Sequence, residues 1–428
     1  MNCQSYFFCV IALLLGTQAA CAQDNAQGRL AYLDELVTTG HIPQYQFAFI
    51  DSQGSVTESK RHYVDGIVPV DAVSSDTLVA LLSLSKPFTS LLALRLIDKG
   101  YLQLDSPISD YLPSFKKVSV QGEKGHVYAV RPILVSDLLL HTAGFAQNAE
   151  LLGWGEIPNT YKNEGIFGLN CLAGEPKQTL GDVVENLSSL PLVNNPGEKF
   201  AYSVATDVLG RVLEVAAQSS FTDLMQEHLK EPLGLTSLTL EVSNDVHTKV
   251  AQLYGPLFKS YPVPGSYQRY EAFRQFDVDV VNVGVKPGCV SPGSGLLSNM
   301  KDLVHFAKFL LNDMKLKDGS SFLSEQSKRQ FFSHQLGEEL GKSPLRRSLA
   351  YANKDGLTLG SLAIRLKQGG SLQDPLTHDF YYWSGFSGSG FWLDKNNNSA
   401  GIFLTQLYPN DRFLIPKLVA QTRAKLAQ

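Results

Sequence analysis

The chain has 428 residues, of which 44% are hydrophobic and 18% charged, and its formal net charge is -4. This composition excludes a disordered or fibrous chain, and the pI near 6.2 gives no excess of basic residues for binding nucleic acid. The length predicts two or three domains, or one large fold with an inserted subdomain.

The first 22 residues have the pattern of a secretory signal peptide. A short apolar run from Phe7 to Leu15 precedes Ala20-Cys21-Ala22, and this order predicts an exported chain cut after Ala22. Lipidation at Cys21 and a buried N-terminal helix are the alternatives. No other apolar run approaches membrane-spanning length. We therefore expect a periplasmic or secreted mature protein without an integral membrane span.

Export changes how the cysteines are interpreted. Three of the five cysteines lie in the predicted signal peptide, which leaves Cys171 and Cys289. In an oxidising compartment these two can form a disulfide. Two separate buried thiols fit the sequence equally well, because a sequence gives no Cα distances.

Strand patterns occur near both ends of the mature chain. A first helix stops at Gly40, and a strand over Tyr45–Asp51, a turn at 52–54 and a partner strand over Arg61–Ile67 follow. Strands return after residue 356. The later strands and the helix that closes the chain are predicted over Leu357–Leu366, Gly388–Leu393, Ala400–Leu407 and Asp411–Lys425.

Helical patterns fill the middle of the chain. They are predicted over Leu134–Leu140, Leu180–Leu190, Ala205–Ala217, Phe221–Lys230, Met300–Leu311 and Ser324–Phe332. A long loop over 146–178 and an irregular region over 242–295 separate them. Strands at both ends with helices between them predict an α/β (α+β) fold, with one sheet built from both termini and a mostly helical inserted subdomain. The sheet part spans about 23–110 and 297–428, and the helical part about 111–296.

The stretch Asp76–Leu92 carries a candidate nucleophile. It is an apolar strand or turn that runs into a helix, with Ser83 at the junction and Lys86 three residues later. Residues i and i+3 lie on one face of a helix, so the Lys86 amine can reach the Ser83 hydroxyl. A serine needs a neighbouring base to remove its proton before it attacks. The same spacing recurs at Ser114 and Ser298, so it does not choose among the three serines.

Motifs for other chemistries are absent from the sequence. Gly337–Ser343 resembles a phosphate loop but has one residue too few between its glycines, and we interpret it as a surface turn. There is no Gly-x-Gly-x-x-Gly after a strand, no His-Glu-x-x-His and no Cys-x-x-Cys, so no cofactor or metal is expected. Gly-x-Ser-x-Gly is also missing, which disfavours an α/β-hydrolase.

Several ordered blocks resemble the serine β-lactamase-related family, which includes class C β-lactamases, D-alanyl-D-alanine carboxypeptidases and carboxylesterases. The resemblance covers nearly the whole mature chain and implies a β-lactamase/transpeptidase-like fold with an antiparallel sheet. The matching blocks are Thr77–Leu92, Asp98–Asp105, Asp137–Gly144, Pro196–Ser203, Asp207–Gly210, Glu231–Leu235 and Gly293–Ser298.

The resemblance assigns a role to each matched motif residue. It implies that Ser83 is the acylated nucleophile, Lys86 its proton partner, and Tyr202 the residue that shares this proton and passes it to the leaving group. Tyr161 and Tyr351 also begin Tyr-x-Asn motifs, but neither follows the Pro-Gly turn that the family shows.

The family's third motif corresponds to Trp383-Ser384-Gly385. Small residues here let the backbone of a strand approach a ligand closely. The resemblance implies that the N–H groups of Ser83 and Phe386 form the oxyanion hole.

Two positions depart from the family pattern. Val204 stands where an asparagine usually binds a substrate amide, and Trp383 replaces a cation that meets a substrate carboxylate. This combination favours an esterase acting on a small-molecule ester. A β-lactamase or D-amino-acid-specific peptidase with an amide substrate is the first alternative, and a catalytically inactive protein that binds cell-wall fragments is the second. The sequence does not indicate an oligomeric state.

Overall fold

The structure is a computed structural model and describes most of the chain between residues 31 and 419. The described residues are 31–39, 41–62, 72–122, 125–146, 156–164, 166, 179–240, 250–256, 273–275, 290–336, 356–367, 369–371, 378–407 and 418–419. The predicted signal peptide, Cys21, Cys171, Cys289 and the predicted turn over Gly337–Ser343 lie outside them.

Strands come mainly from the two ends of the described chain. In chain order they are β1 (Gln44–Ile50), β2 (Val56–His62), β3 (Val79–Ala80), β4 (Ser119–Gly122), β5 (Gly125–Tyr128), β6 (Tyr254–Pro256), β7 (Phe273–Gln275), β8 (Leu297–Ser298), β9 (Gly356–Leu357), β10 (Ala363–Leu366), β11 (His378–Ser384), β12 (Gly390–Asp394) and β13 (Ser399–Leu404). The main sheet has seven strands in the order β2-β1-β13-β12-β11-β10-β9.

The two ends of the chain meet in the main sheet. β1 pairs antiparallel with β13, with Gln46 opposite Leu404 and Ile50 opposite Ala400. The remaining neighbours in this sheet also pair antiparallel. This arrangement confirms the predicted α/β fold with an antiparallel sheet built from both termini. The exact domain boundaries stay a prediction.

Both faces of the sheet are covered, and alternate residues of one strand enter different cores. In β1, Ala48 and Ile50 belong to the large core under the helices. Tyr45 and Phe47 belong to a second core that includes Leu33 of the first helix. The side-chain period of two in a strand produces this division. Burial on both faces also explains the nearly continuous apolar sequences of the central strands β12 and β13.

The helices lie mostly between the two groups of strands. In chain order they are α1 (31–38), α2 (Lys86–Asp98), α3 (Val135–Leu139), α4 (Glu156–Asn163), α5 (Leu180–Ser188), α6 (Ala205–Ala217), α7 (Phe221–Met225), α8 (Glu231–Leu233), α9 (Met300–Leu311) and α10 (Glu325–Phe332). A π-helix over Gln226–Lys230 joins α7 to α8. Among the described residues, no helix has both the length and the apolar character needed to cross a lipid bilayer.

Helix α2 is central and buried almost all round, as its composition predicts. Pro87 lies in its first turn, where the missing N–H costs no helical hydrogen bond. The side chains of Leu91, Leu92 and Leu94 are fully buried, and each stabilises the fold by about 1.5–3 kcal/mol. The helix ends before Gly100, which has a φ of 82°. The tip of a buried helix is a fixed position for a reactive side chain.

Some strand predictions were wrong in position. The partner of β1 begins at Val56 instead of Arg61, and residues 63–71 are not among the described residues. The strand predicted over Leu357–Leu366 is two strands, β9 and β10, because Gly360 and Ser361 form a turn, with Ser361 at a φ of 54°. β11 was missing from the predicted strands.

Some predictions for the middle of the chain were also wrong. The loop predicted over 146–178 contains α4, and the region predicted as irregular over 242–295 contains β6 and β7. The hairpin of β4 and β5 was not predicted. Of the last predicted helix, only residues 418–419 are described, and they are helical.

Candidate active site

Ser83 lies between the sheet and helix α2, on a short 3-10 helix over Leu82–Ser85. The strand pair β3 and β8 fixes this segment, and the Leu81 N–H donates to the Leu296 carbonyl at 2.9 Å. Leu82 has a φ of 48°, a left-handed conformation that costs a branched residue about 1–3 kcal/mol. The chain therefore enters the helix through a strained turn that leaves the Ser83 side chain half-buried.

Tyr202 contacts the candidate nucleophile directly. Its phenol donates a hydrogen bond of 2.8 Å to Ser83 Oγ. Tyr202 lies three residues before Ala205, the first residue of α6. A hydrogen bond of 2.8 Å from the Ala201 N–H to the His141 carbonyl holds this segment against the end of α3. The structure thus brings together two of the predicted catalytic residues.

Lys86 is buried beside the same pair. Its Nζ donates to the Gly293 carbonyl at 2.9 Å and lies 4.8 Å from the centre of the Tyr202 ring. A cation over an aromatic face at this distance is attracted by the ring. Lys86 therefore lies one helical turn from Ser83 and next to Tyr202, as the Ser-x-x-Lys spacing and the motif order predict.

Asp207 is a buried acid on the first turn of α6, close to Lys86. Its Oδ1 accepts a hydrogen bond from Ser291 Oγ at 2.7 Å and another from the Gly293 N–H at 3.0 Å. Burial raises the pKa of Asp207, while the positive charge of Lys86 and these hydrogen bonds oppose the rise. Asp207 lies in the matching block Asp207–Gly210, but the family resemblance assigns it no role.

His141 is a second buried titratable group, and it also lies in a matching block without an assigned role. Its Nδ1 accepts from the Ser203 N–H at 3.2 Å, so a neutral ring carries its proton on Nε2. Nε2 is buried and has no hydrogen-bond partner in the described part of the chain. Burial and the charge of Lys86 hold the pKa of His141 well below its ordinary value. The ring centre lies 4.6 Å from that of Tyr202.

Trp383 and Ser384 are the last two residues of β11. The Trp383 indole N–H donates to the Ser83 carbonyl oxygen at 2.9 Å, and its ring centre lies 6.3 Å from that of Tyr202. The side chains of Trp383 and Ser384 are half-buried. The tryptophan at this motif position therefore holds the backbone of the nucleophile and forms part of the wall beside Tyr202.

Gly385 and Phe386 continue into a turn that packs on the nucleophile segment. The Gly385 N–H donates to the Ser389 carbonyl at 2.7 Å. A Cβ atom added at Gly385 would lie 2.1 Å from the Leu81 carbonyl oxygen, so only glycine fits there. The Ser83 N–H lies in the first turn of its 3-10 helix, where backbone N–H groups lack helical partners. Both predicted oxyanion donors, Ser83 and Phe386, are thus on segments in direct contact.

Val204 faces away from this polar group. It is 1% exposed and belongs to the large hydrophobic core. The site therefore lacks the asparagine amide of the family pattern at this position. Val204 contributes to core packing instead.

The other two Ser-x-x-Lys serines lack these neighbours. Ser114 Oγ donates to Glu185 on the surface, and Ser298 is fully buried in β8. Lys301, the partner of Ser298 by spacing, forms an exposed ion pair with Asp76 at 2.7 Å. Among the three serines, Ser83 is the one beside a buried lysine and a tyrosine phenol.

The alternative tyrosine motifs do not contribute to this site. Tyr161 is a buried residue of α4, and its phenol donates to the Pro191 carbonyl at 3.2 Å. This hydrogen bond gives the phenol a structural role. Tyr351 lies outside the described residues. Within the described ranges, no group of three or more His, Cys, Asp or Glu side chains is arranged to hold a metal ion.

The family comparison agrees with this geometry. The family model described as Beta-lactamase matches residues 31–424. The chain belongs to the Beta-lactamase family. Membership in this family of serine hydrolases confirms the sequence resemblance and supports hydrolase activity.

Proteins with different names are similar to the chain. It is 27% identical to protein Rv1367c of Mycobacterium tuberculosis over 81% of each chain. It is 33% identical to esterase EstB of Burkholderia gladioli over 37% of this chain and 38% of EstB. The solved structure of EstCE1, a hydrolase with promiscuous acyltransferase activity, superposes with a TM-score of 0.72 at 20% identity and covers 95% of this chain and 99% of EstCE1. At that identity the superposition shows the fold alone.

Proposed function

We propose that the protein is an exported serine hydrolase that forms an acyl-enzyme at Ser83 and hydrolyses small or medium carboxylic esters. The observation that carries this proposal is the hydrogen bond of 2.8 Å between Tyr202 and Ser83 Oγ, beside the buried Lys86. A nucleophile, a base and a proton donor meet there.

Acylation begins when Ser83 Oγ attacks the carbonyl carbon of the ester and its proton passes to the Lys86 amine. The tetrahedral intermediate then expels the alcohol as its C–O bond breaks. Tyr202 donates its phenolic proton to this leaving oxygen and recovers a proton from the Lys86 ammonium. The distance of 2.8 Å between the Tyr202 phenol and Ser83 Oγ supports this division of roles.

The oxyanion of the intermediate accepts hydrogen bonds from the N–H groups of Ser83 and Phe386. The contact of the Gly385 turn with Leu81 and the bond from Trp383 to the Ser83 carbonyl support a fixed geometry for these donors. One fixed oxyanion donor accelerates acyl transfer by about 10² to 10³.

Deacylation reverses the proton transfers with a different nucleophile. Water attacks the acyl carbon and gives a proton to the lysine-tyrosine pair, which returns a proton to Ser83 Oγ as the carboxylic acid leaves. An alcohol in place of water yields a new ester, so the same steps make the enzyme a transesterase. The similarity to EstCE1, a hydrolase with promiscuous acyltransferase activity, supports a test of this second outcome.

Trp383 and Val204 support an ester substrate over a β-lactam or a peptide stem. Trp383 places a half-buried indole where the family pattern has a cation that binds a substrate carboxylate. The indole N–H already donates to the Ser83 carbonyl oxygen. Val204 is buried in the core and offers no amide. A substrate with a carboxylate or an amide next to the reacting carbonyl therefore finds neither partner at these positions. The similarity to esterase EstB is consistent with this choice.

Steady-state assays test the substrate class. We expect the purified protein to hydrolyse short-chain p-nitrophenyl esters much faster than a chromogenic cephalosporin or a peptide ending in D-alanyl-D-alanine, and Ser83→Ala to abolish ester hydrolysis. Faster turnover of the cephalosporin or the peptide assigns the β-lactamase or peptidase alternative. No turnover of any of these, with no modification of Ser83 by acylating probes, assigns a binding protein and overturns the proposal.

Export is proposed on the N-terminal sequence. We expect Edman sequencing of the mature protein, recovered from the periplasm or the medium, to begin at Gln23. A lipid-modified N-terminus at Cys21 identifies a lipoprotein, and an intact Met1 in a cytoplasmic fraction contradicts export.

A further inference from the structure

The segment Ser291–Leu296 lies between the helix of the nucleophile and the helix that follows Tyr202. On the side of α2, Thr89 Oγ1 donates to the Pro292 carbonyl at 2.6 Å and Ser85 Oγ accepts from the Leu296 N–H at 3.1 Å. On the side of α6, a Cβ atom added at Gly210 would lie 2.1 Å from Pro292 Cγ, so the ring packs directly on the helix backbone. The segment is therefore fixed against both helices.

Asp207 and Lys86 bind this segment from opposite helices at the same residue. The Gly293 N–H donates to Asp207 Oδ1 at 3.0 Å, and the Gly293 carbonyl accepts from Lys86 Nζ at 2.9 Å. A Cβ atom at Gly293 would lie 3.0 Å from Asp207 Oδ2, which shows how closely the backbone covers the carboxylate. Gly293 thus connects a buried acid to the buried amine that the proposed mechanism uses as a base.

We propose that Asp207 is a positioning residue for the acylation of Ser83, acting on Lys86 through the backbone of Gly293. It fixes the carbonyl that holds the Lys86 amine, and its carboxylate lowers the free energy of the ammonium that forms when Lys86 takes the serine proton. Both effects favour the transition state, in which Lys86 holds the serine proton. This inference rests on the proposed function of Ser83.

The charged and titratable groups around Lys86 come from three segments. Asp207 lies on α6, Tyr202 precedes α6, and His141 follows α3. His141 has a depressed pKa and stays neutral at pH 7, so it adds no charge there. Among these neighbours Asp207 is the acid; burial raises its pKa, and the charge of Lys86 and the hydrogen bonds from Gly293 and Ser291 oppose this rise. Changes at Asp207 therefore alter the electrostatic environment of Lys86.

The test measures the rate of Ser83 labelling by a serine-directed phosphonate between pH 5 and 10. For Asp207→Asn we expect a labelling rate at the plateau about tenfold to hundredfold lower than in the wild type, the range for losing a hydrogen bond to a charged group. We also expect the rising limb of the pH profile to move to lower pH, because the substitution removes the negative charge that Gly293 connects to the Lys86 amine.

Two further variants keep the test decisive. Ser291→Ala removes one hydrogen-bond donor from the Asp207 carboxylate. We therefore expect a smaller fall of the plateau labelling rate and a smaller movement of the rising limb than in Asp207→Asn. If Asp207→Asn does not fold, the result for Ser291→Ala decides the test. Asp302→Asn is the matched control, because Asp302 is also buried but accepts from the N–H groups of Ser237 and Leu238. We expect its melting temperature to fall and its pH profile to stay in place.

The outcomes separate this inference from the proposed function. If the wild type is not labelled at Ser83, the proposed function fails. If the wild type is labelled and both Asp207→Asn and Ser291→Ala keep the plateau rate and the position of the rising limb, this inference alone is overturned. A lower rate that follows the melting temperature, without movement of the limb, assigns a purely structural role to Asp207 and also overturns it.

Discussion

The phenol of Tyr202 lies 2.8 Å from Ser83 Oγ, although 119 residues separate them in sequence. Ser83 belongs to a segment that pairs with β8, and Tyr202 belongs to the helical part, next to the end of α3. Their contact therefore depends on how the helical part packs against the sheet part. The candidate site exists only in the complete fold.

Replacing Tyr202 by phenylalanine removes the proposed proton donor and little else. We expect kcat/KM for p-nitrophenyl esters to fall by about 10² to 10⁴, the range for one acid-base group. The fold should lose about 1 kcal/mol with the hydrogen bond. Tyr161→Phe is the control, because this buried phenol bonds to the Pro191 carbonyl and to the backbone of Ala146, away from Ser83 Oγ. An equal loss of activity in both variants contradicts a specific role for Tyr202.

Trp383→Phe keeps an aromatic ring and removes the N–H that bonds the Ser83 carbonyl. We expect kcat for esters to fall by about tenfold, the effect of losing one hydrogen bond of about 1.5 kcal/mol, and KM to change less. Steady-state kinetics with the same esters checks this split. A variant with unchanged kcat and a raised KM shows instead that the indole serves only to bind substrate.

Gly385→Ala tests whether close backbone packing holds the oxyanion turn. The added methyl would lie 2.1 Å from the Leu81 carbonyl, so the turn must move away from the nucleophile segment. We expect a loss of about 10² to 10³ in kcat, as for one lost oxyanion donor. Gly181→Ala on α5 is the control, because its nearest contact is 3.4 Å. Ester hydrolysis by Gly385→Ala at the wild-type rate rules out this role.

His141 makes the stability of the fold depend on pH. The folded state keeps His141 neutral, whereas the unfolded chain takes up a proton below pH 6.5, so the free energy of unfolding decreases as the pH falls through this value. From pH 7.5 to 5.5 this one group should cost about 1.4 kcal/mol. His141→Asn removes the group, and asparagine tolerates the φ of 54° at this position. Urea unfolding of the wild type and His141→Asn at pH 7.5 and 5.5 measures how much free energy of unfolding each protein loses. An equal loss in the two proteins excludes His141 as the cause.

Much of the fold was predictable because local signals were strong. The bounds of α6 and α9 match the predictions at Ala205–Ala217 and Met300–Leu311, where apolar periodicity is clear and Asn299 caps α9 by accepting from the Asp302 N–H. β11 was missed because residues of both its faces are buried, with Tyr381 in one core and Tyr382 in the other. Its sequence therefore lacks the alternation that marks a half-buried strand.

The site was only partly predictable from local pattern. The spacing of Ser83 and Lys86 is local, but the same spacing occurs at Ser114 and Ser298, and Tyr202 came from the family resemblance. The sequence does contain an indication for Asp207, because an acid next to the apolar residues Val208 and Leu209 on a buried helix face needs a specific partner. The contact of Gly293 with two helices depends on tertiary packing and has no signal in the sequence.

The most direct test of the account is the identity of the modified residue after reaction with a serine-directed phosphonate. Intact-protein and peptide mass spectrometry should show one adduct per chain, located on the peptide that contains Ser83. Ser83→Ala should fold with an unchanged melting temperature and remain unmodified. Labelling of Ser83→Ala at the rate of the wild type, or an adduct of the wild type on another residue, contradicts the assignment of Ser83 as the nucleophile.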